Sequence, residues 1–109
     1  MASEFQLYKD ASGAFRWRLT ADNNQVVAVA SEGYVNKAAA QRGIEITRKG
    51  QASYTVIPDA QGKWRWRSEV TNGNIIATAG QGYVNPRDCE RGITLTKQLA
   101  KTAPVKEVE

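Results

Sequence analysis

Apolar and polar residues alternate weakly over residues 5–10 and more clearly over 15–20 and 26–30, and from 37 to 48 the apolar period lengthens to three or four. Alternation marks a half-buried strand, and the longer period marks one face of a helix. The same series then returns at 54–58, 64–69, 75–79 and 86–99. Turn chemistry separates the segments: Asp10-Ala11-Ser12-Gly13 and Asp59-Ala60-Gln61-Gly62 after the first strands, Asp22-Asn23-Asn24 and Thr71-Asn72-Gly73 after the second. These residues favour tight reversals, and Asn-Gly is a strong short hairpin signal. Each series therefore reads as a three-stranded antiparallel meander followed by a helix. Residues 104–108 form one more short strand.

The helices carry their own start signals. Asn36 and Asn85 stand as N-caps, whose side-chain oxygens accept from the free amides of the first turn. Pro86 takes the first helical position, where a missing N–H costs nothing. The inward stripes are Ala40, Gly43, Ile44, Thr47 and Cys89, Gly92, Ile93, Thr96, spaced i, i+3, i+4, i+7.

An offset of 49 positions aligns the two series without a gap. It matches Asp10 with Asp59, Arg16-Trp17-Arg18 with Arg65-Trp66-Arg67, Gly33-Tyr34-Val35-Asn36 with Gly82-Tyr83-Val84-Asn85, and Arg42-Gly43-Ile44 with Arg91-Gly92-Ile93. The chain is a tandem duplication, with one repeat over about 5–49 and the other over about 54–98.

Alternation places Phe15, Trp17 and Leu19 on one strand face and Arg16 and Arg18 on the other; Trp64 and Trp66 likewise oppose Arg65 and Arg67. A tryptophan buries about 150–250 Å². Trp17 and Trp66 are therefore the pillars of the core, and the arginines face outward with Tyr8 beside them. Glycine inside a helix costs about 0.5–1 kcal/mol against alanine, and the chain accepts this twice. Gly43 and Gly92 either let each helix lie close on the tryptophan layer or end a shorter helix. A unit of about 45 residues is small for independent folding, so the copies are expected to complete one another in one antiparallel sheet with both helices on one face. Segment 52–58 and the tail 104–108 are expected to pair across the pseudo-twofold axis. Val27, Val29 and Ile57 are expected to point outward.

These motifs resemble the YegP-like family of small bacterial and archaeal domains, about 50 residues each and often paired in tandem. The residues that carry the resemblance are Tyr8-Lys9-Asp10, Phe15-Arg16-Trp17-Arg18-Leu19, Gly33-Tyr34 and Arg42-Gly43-Ile44, a pattern repeated in tandem with departures in the second copy. It implies an α+β fold of two β3-α-β repeats sharing a sheet and swapping their C-terminal strands. It implies no activity. Ser68 stands where the pattern has leucine, and Pro58 interrupts the first strand of copy two.

At 109 residues the chain fits one domain spanning residues 1–109. No apolar run reaches the roughly 18 residues of a membrane span. The acidic start lacks the character of a signal peptide, and the single Cys89 suits a reducing compartment; the expected location is cytoplasmic. With no histidine, no clustered carboxylates and Cys89 on an inward helix face, nothing resembles a nucleophile with its base or a metal site. The chain reads as a non-enzyme without cofactors. Gly80-Gln81-Gly82-Tyr83 precedes a helix as a phosphate cradle would, but its copy Ser31-Glu32-Gly33-Tyr34 holds a glutamate there, which favours a plain strand-to-helix turn. The net charge of +4 permits an anionic partner, and Arg16, Arg18, Arg65, Arg67 and Tyr8 could face single-stranded nucleic acid. The leading reading is an accessory module that binds another protein, itself a monomer or weak homodimer; nucleic-acid binding is the alternative.

Overall fold

The computed structural model describes residues 3–108, so Met1, Ala2 and Glu109 lie outside the described part of the expected domain. Seven strands and two helices follow in the order β1 (Glu4–Lys9), β2 (Phe15–Thr20), β3 (Val26–Ala30), α1 (Lys37–Arg48), β4 (Ser53–Pro58), β5 (Trp64–Glu69), β6 (Ile75–Ala79), α2 (Pro86–Thr102) and β7 (Val105–Glu107). Aspartates build the first turn of each meander. Asp10 Oδ1 accepts from the Ser12 and Ala14 amides, and Asp59 Oδ1 accepts from those of Gln61 and Lys63. Asn36 and Asn85 cap the helices, each taking a side-chain hydrogen bond from the amide three residues on, Ala39 at 2.8 Å and Asp88 at 2.9 Å.

All seven strands form one sheet in the order β4-β5-β6-β3-β2-β1-β7. The halves meet at β3 and β6, which run antiparallel with Ala28 opposite Ala79, Val29 opposite Thr78 and Ala30 opposite Ala77. Under the 49-residue offset Val29 and Thr78 are equivalent, so the pseudo-twofold axis passes through that pair. The alanines face the helices, and their small size lets both helices cross this seam: α1 rests on β1, β2 and β6, and α2 on β3, β4 and β5.

Trp17 is 0% exposed and Trp66 1%. Each ring meets another edge to face, Phe5 with Trp17 at 5.6 Å and Tyr54 with Trp66 at 5.1 Å, an arrangement that adds to burial alone. Cys89 is fully buried on the inward face of α2, and burial, with Glu90 nearby, pushes its thiol pKa up.

Three expectations need correction. The sheet is mixed, because β7 runs parallel to β1. The halves are alike without being identical β3-α-β units: α1 passes through residues 49–52 straight into β4, the first strand of copy two, and only α2 is followed by a strand that crosses to the other half. That short connection has no length for a crossing strand. By contrast α2 runs 17 residues against 12, until Pro104, unable to continue a helix, releases β7 beside the other half. Hence 105–107 crosses to the first copy while 53–58 pairs with β5 of its own copy. Third, Val27 does not point outward; it is 3% exposed. Pairing jumps from Leu19–Ala28 to Thr20–Val26, and this β-bulge leaves one extra residue that turns into the core. Ile76 sits at the same bulge in copy two and is also buried.

Candidate functional site

The face of the sheet away from the helices carries the four arginines, two of them in one straight row and Arg16 and Arg65 beyond it. Register places Gln6, Arg18, Val29, Thr78, Arg67 and Thr55 side by side across six strands. Tyr8 lies opposite Arg16 on the neighbouring strand, and the Arg18 guanidinium stands 4.7 Å above the Tyr8 ring. Tyr8, Arg16 and Arg18 are thus together, whereas Arg65 and Arg67 lie three strand spacings away, roughly 14 Å. The equivalent of Tyr8 there is Ile57, so copy two has no stacking ring.

Most of these charges are already engaged. Arg16 Nε donates to Asp10 Oδ2 at 2.8 Å, and Arg65 Nε to Asp59 Oδ2 at 3.2 Å. Arg18 Nε donates to Gln6 Oε1 at 2.6 Å, and Arg67 Nε lies 3.5 Å from Glu69 Oε1. The Ser12 hydroxyl and then Arg16 hold the Asp10 carboxyl well below the ordinary carboxylate range. Asp59 is lowered too, chiefly by the Lys63 amide.

The two ends of the sheet differ. At the β1 end, Phe5 N–H donates to Pro104 O at 2.8 Å, and Val108 N–H to Leu7 O at 2.9 Å. Phe5 and Leu7 therefore turn their backbone groups toward β7. Tyr54 and Val56 are their equivalents, in the same register against β5, but β4 is the terminal strand of the order. Among the described residues no strand covers it. Pro58, the next residue with this outward orientation, has no N–H to offer, a usual place for proline on an edge strand. β7, at the other end, has three residues and a Lys37–Glu107 ion pair of 2.7 Å, features that protect an edge. β4 has six residues and no charge. Sequence reasoning placed 52–58 in an internal pairing and missed this edge; the absence of charge was the available signal. Val35 and Val84, equivalent turn positions, are the most exposed large apolar side chains at 91% and 78%.

The strand-to-helix turns set a tyrosine over each helix. Tyr34 exchanges backbone hydrogen bonds with Phe15, and Tyr83 with Trp64, at 2.7–2.8 Å. The turn over Gly80–Gly82 is held at both ends, Gly80 N–H donating to Val27 O of β3 at 3.1 Å and Tyr83 bonding to Trp64 of β5. Gly43 and Gly92 lie inside their helices, beneath these tyrosines. A Cβ at Gly43 would stand 2.9 Å from Tyr34 Oη and 3.0 Å from Trp17 Nε1, and one at Gly92 would overlap Tyr83 Oη. At Gly43 the close approach is thus made to a phenol as well as to an indole, whereas at Gly92 the nearest atoms all belong to the Tyr83 phenol. Burial raises both tyrosine pKa values, so the hydroxyls stay protonated at neutral pH. For Tyr34, Glu32 adds to the rise and the nearby Trp17 indole opposes it. That indole contact falls short of hydrogen-bond geometry: Trp17 Nε1 and Trp66 Nε1 are buried without a partner.

Among the described residues, no group of three or more His, Cys, Asp or Glu could hold a metal ion, and no helix is long and apolar enough to cross a membrane. The chain matches the family described as a domain of unknown function, DUF1508, twice, over residues 10–53 and 59–107. A UPF0339 protein of Treponema denticola is 46% identical over 57 residues, 52% of this chain and 97% of that protein. One from Neisseria meningitidis serogroup B is 38% identical over 52 residues, 48% of this chain and 91% of its own. Those relatives are about one repeat long. The solution structure of the E. coli protein of unknown function yegP superimposes with a TM-score of 0.85 at 28% identity, covering 98% of this chain and 93% of that one. A UPF0339 protein of Shewanella oneidensis gives 0.82 at 25% identity, covering 98% and 92%.

Proposed function

The chain belongs to the YegP-like UPF0339 family, DUF1508, and we propose that it acts as a non-enzymatic interaction module that takes an extended strand of another protein along β4. One observation carries this reading. The two outer strands β1 and β4 are equivalent, yet β7 covers β1 and nothing among the described residues covers β4. The β1–β7 pairing supplies the template: a parallel strand whose carbonyl would accept from Tyr54 N–H and whose amide would donate to Val56 O. Pro58 limits the ladder to about three residues. Each such bond contributes about 0.5–1.5 kcal/mol net, so recognition also needs side-chain contacts, for which Ile57 and Tyr54 are placed. Strand addition of this kind takes affinity from the backbone and specificity from alternate side chains.

The arginine face gives less support to nucleic-acid binding. Three of its guanidinium groups donate to Asp10, Asp59 and Gln6, Arg67 is ion-paired to Glu69 without a hydrogen bond from its Nε, and among the described residues only Tyr8 offers a ring.

Val56→Pro tests the module. It removes an N–H that faces the open edge, and because Val56 also packs partly against the core, the isolated protein should keep its circular dichroism with a modest fall in melting temperature. Partners captured by the wild type and sequenced should be lost by the variant, and in the purified complex the Tyr54 and Val56 amides should exchange more slowly with solvent. A complex in which both amides exchange as fast as in the free protein overturns the reading. Light scattering that shows β4-dependent dimers replaces the foreign strand with a second copy.

A further inference from the structure

The motif Gly-Tyr…Arg-Gly occurs in both halves, and the strand-edge reading leaves its tyrosine and arginine without a role. Each pair lines a cleft built by both halves together. In the first, α1 contributes Arg42, Gly43 and Ile46, the turn before it contributes Tyr34, and the β5–β6 hairpin of the other half contributes Asn72, Asn74 and Ile76. The volume is about 340 Å³, enough for a small organic molecule. In the second cleft, about 230 Å³, Tyr83, Arg91 and Gly92 face the β2–β3 hairpin of the first half through Gln25 and Val27.

The two clefts differ in charge. Arg91 lies 3.6 Å from Asp88, which lines the same cleft. The equivalent of Asp88 in the first half is Ala39, and Arg42 has no ion-pair partner among the described residues. Copy one therefore presents a guanidinium without an ion pair in the cleft that also holds the Tyr34 hydroxyl, with Asn72 and Asn74 and the apolar Ile46 and Ile76 lining the rest; Glu32 acts on that hydroxyl through space and is the acid a bound anion would have to tolerate. Donors and one positive charge converge on a partly apolar cleft.

We propose that the cleft between α1 and the β5–β6 hairpin binds a small organic carboxylate, its charged end on Arg42 and Tyr34 and its apolar body against Ile46 and Ile76. A single guanidinium flanked by neutral donors suits one negative charge, and charge-assisted hydrogen bonds from arginine to carboxylate are among the stronger polar contacts. The second cleft, neutralised by Asp88, is an internal control on the same molecule. This site is separate from β4, so either proposal can fail alone.

The test is an amide-resolved NMR titration of the whole chain with sodium benzoate, and in parallel with benzyl alcohol and with inorganic phosphate. Benzoate should shift the amides of Gly43, Ile46 and Asn72–Asn74 with saturation in the millimolar range, and leave Gly92, Leu95 and Asn23–Gln25 in place. Arg42→Gln, at an exposed position without an ion pair, should keep the melting temperature and weaken benzoate about tenfold, the loss of one charged contact. Arg91→Gln should leave binding unchanged. Equal shifts in both clefts, unchanged affinity in Arg42→Gln, or no saturable shift overturns the site. Benzyl alcohol binding as well as benzoate overturns the role of charge, and phosphate binding as well as benzoate overturns the role of the apolar wall.

Discussion

Replacing Gly43 with alanine sets two forces against each other. Alanine in a helix interior is favoured over glycine by about 0.5–1 kcal/mol. Against that, the new methyl carbon would lie 2.9 Å from Tyr34 Oη and 3.0 Å from Trp17 Nε1, both inside van der Waals contact. Trp17 is fully buried and packed edge-on against Phe5, so it has nowhere to retreat. Tyr34 can turn aside only by giving up its place over the helix. Overpacking of this kind costs about 1–3 kcal/mol, which leaves a net loss of about 1 kcal/mol. For a chain of this size that is a fall in Tm of about 4–8 °C. Urea unfolding followed by tryptophan fluorescence would measure it directly. A second variant isolates the cause. Tyr34→Phe deletes the nearer atom and leaves the ring carbon Cζ at 3.5 Å, an ordinary contact, so Gly43→Ala should cost less in that background. The expected coupling is about 0.5–1 kcal/mol. A rise in stability from Gly43→Ala alone, equal to the helix-propensity gain, would refute the close-contact argument.

Other outcomes follow from the same geometry. Asn36→Ala and Asn85→Ala should each cost about 1 kcal/mol in urea denaturation, the usual loss for an N-cap. Asp10 and Asp59 have folded pKa values below their unfolded values, so their stabilisation is complete above the unfolded value near 3.9 and is lost as pH falls through it toward the folded values. The Asp10→Asn/Asp59→Asn double variant should flatten the dependence of the urea midpoint on pH between about 4 and 2. Trp66→Ala should destabilise by about 3–5 kcal/mol, enough to broaden or abolish the cooperative melt. Ending the chain after Ala103 removes β7 and leaves Phe5 N–H and Leu7 O open, and light scattering should then show self-association through β1.

The strands, caps and buried indoles were legible because each depends on local chemistry written twice: alternation around Trp17 and Trp66, the asparagine before each helix, the aspartate in each first turn. What could not be read depends on pairing between distant segments. Alternation assumes two residues per repeat, so it put Val27 outside; only the register with β2 reveals the extra residue there. The resemblance implied swapped strands from both halves, but the four residues after α1 leave no room for one. The end of α2 was set at 99, three residues short, although the buried Ala100 and Ala103 continue its inward side. Tyr34 and Arg42 were visible as a repeated motif, yet their cleft needs Asn72 and Asn74 from the other half, and neither half shows it alone.

The seam between β3 and β6 has a further consequence, for how the molecule assembles. Its contacts are the same whether the two halves lie on one chain or two, and only residues 49–52 decide which. During refolding at high concentration, the first half of one molecule can dock on the second half of another before its own arrives. A protease cut in that short tether should leave a noncovalent heterodimer whose melting depends on dilution more steeply than that of the intact chain.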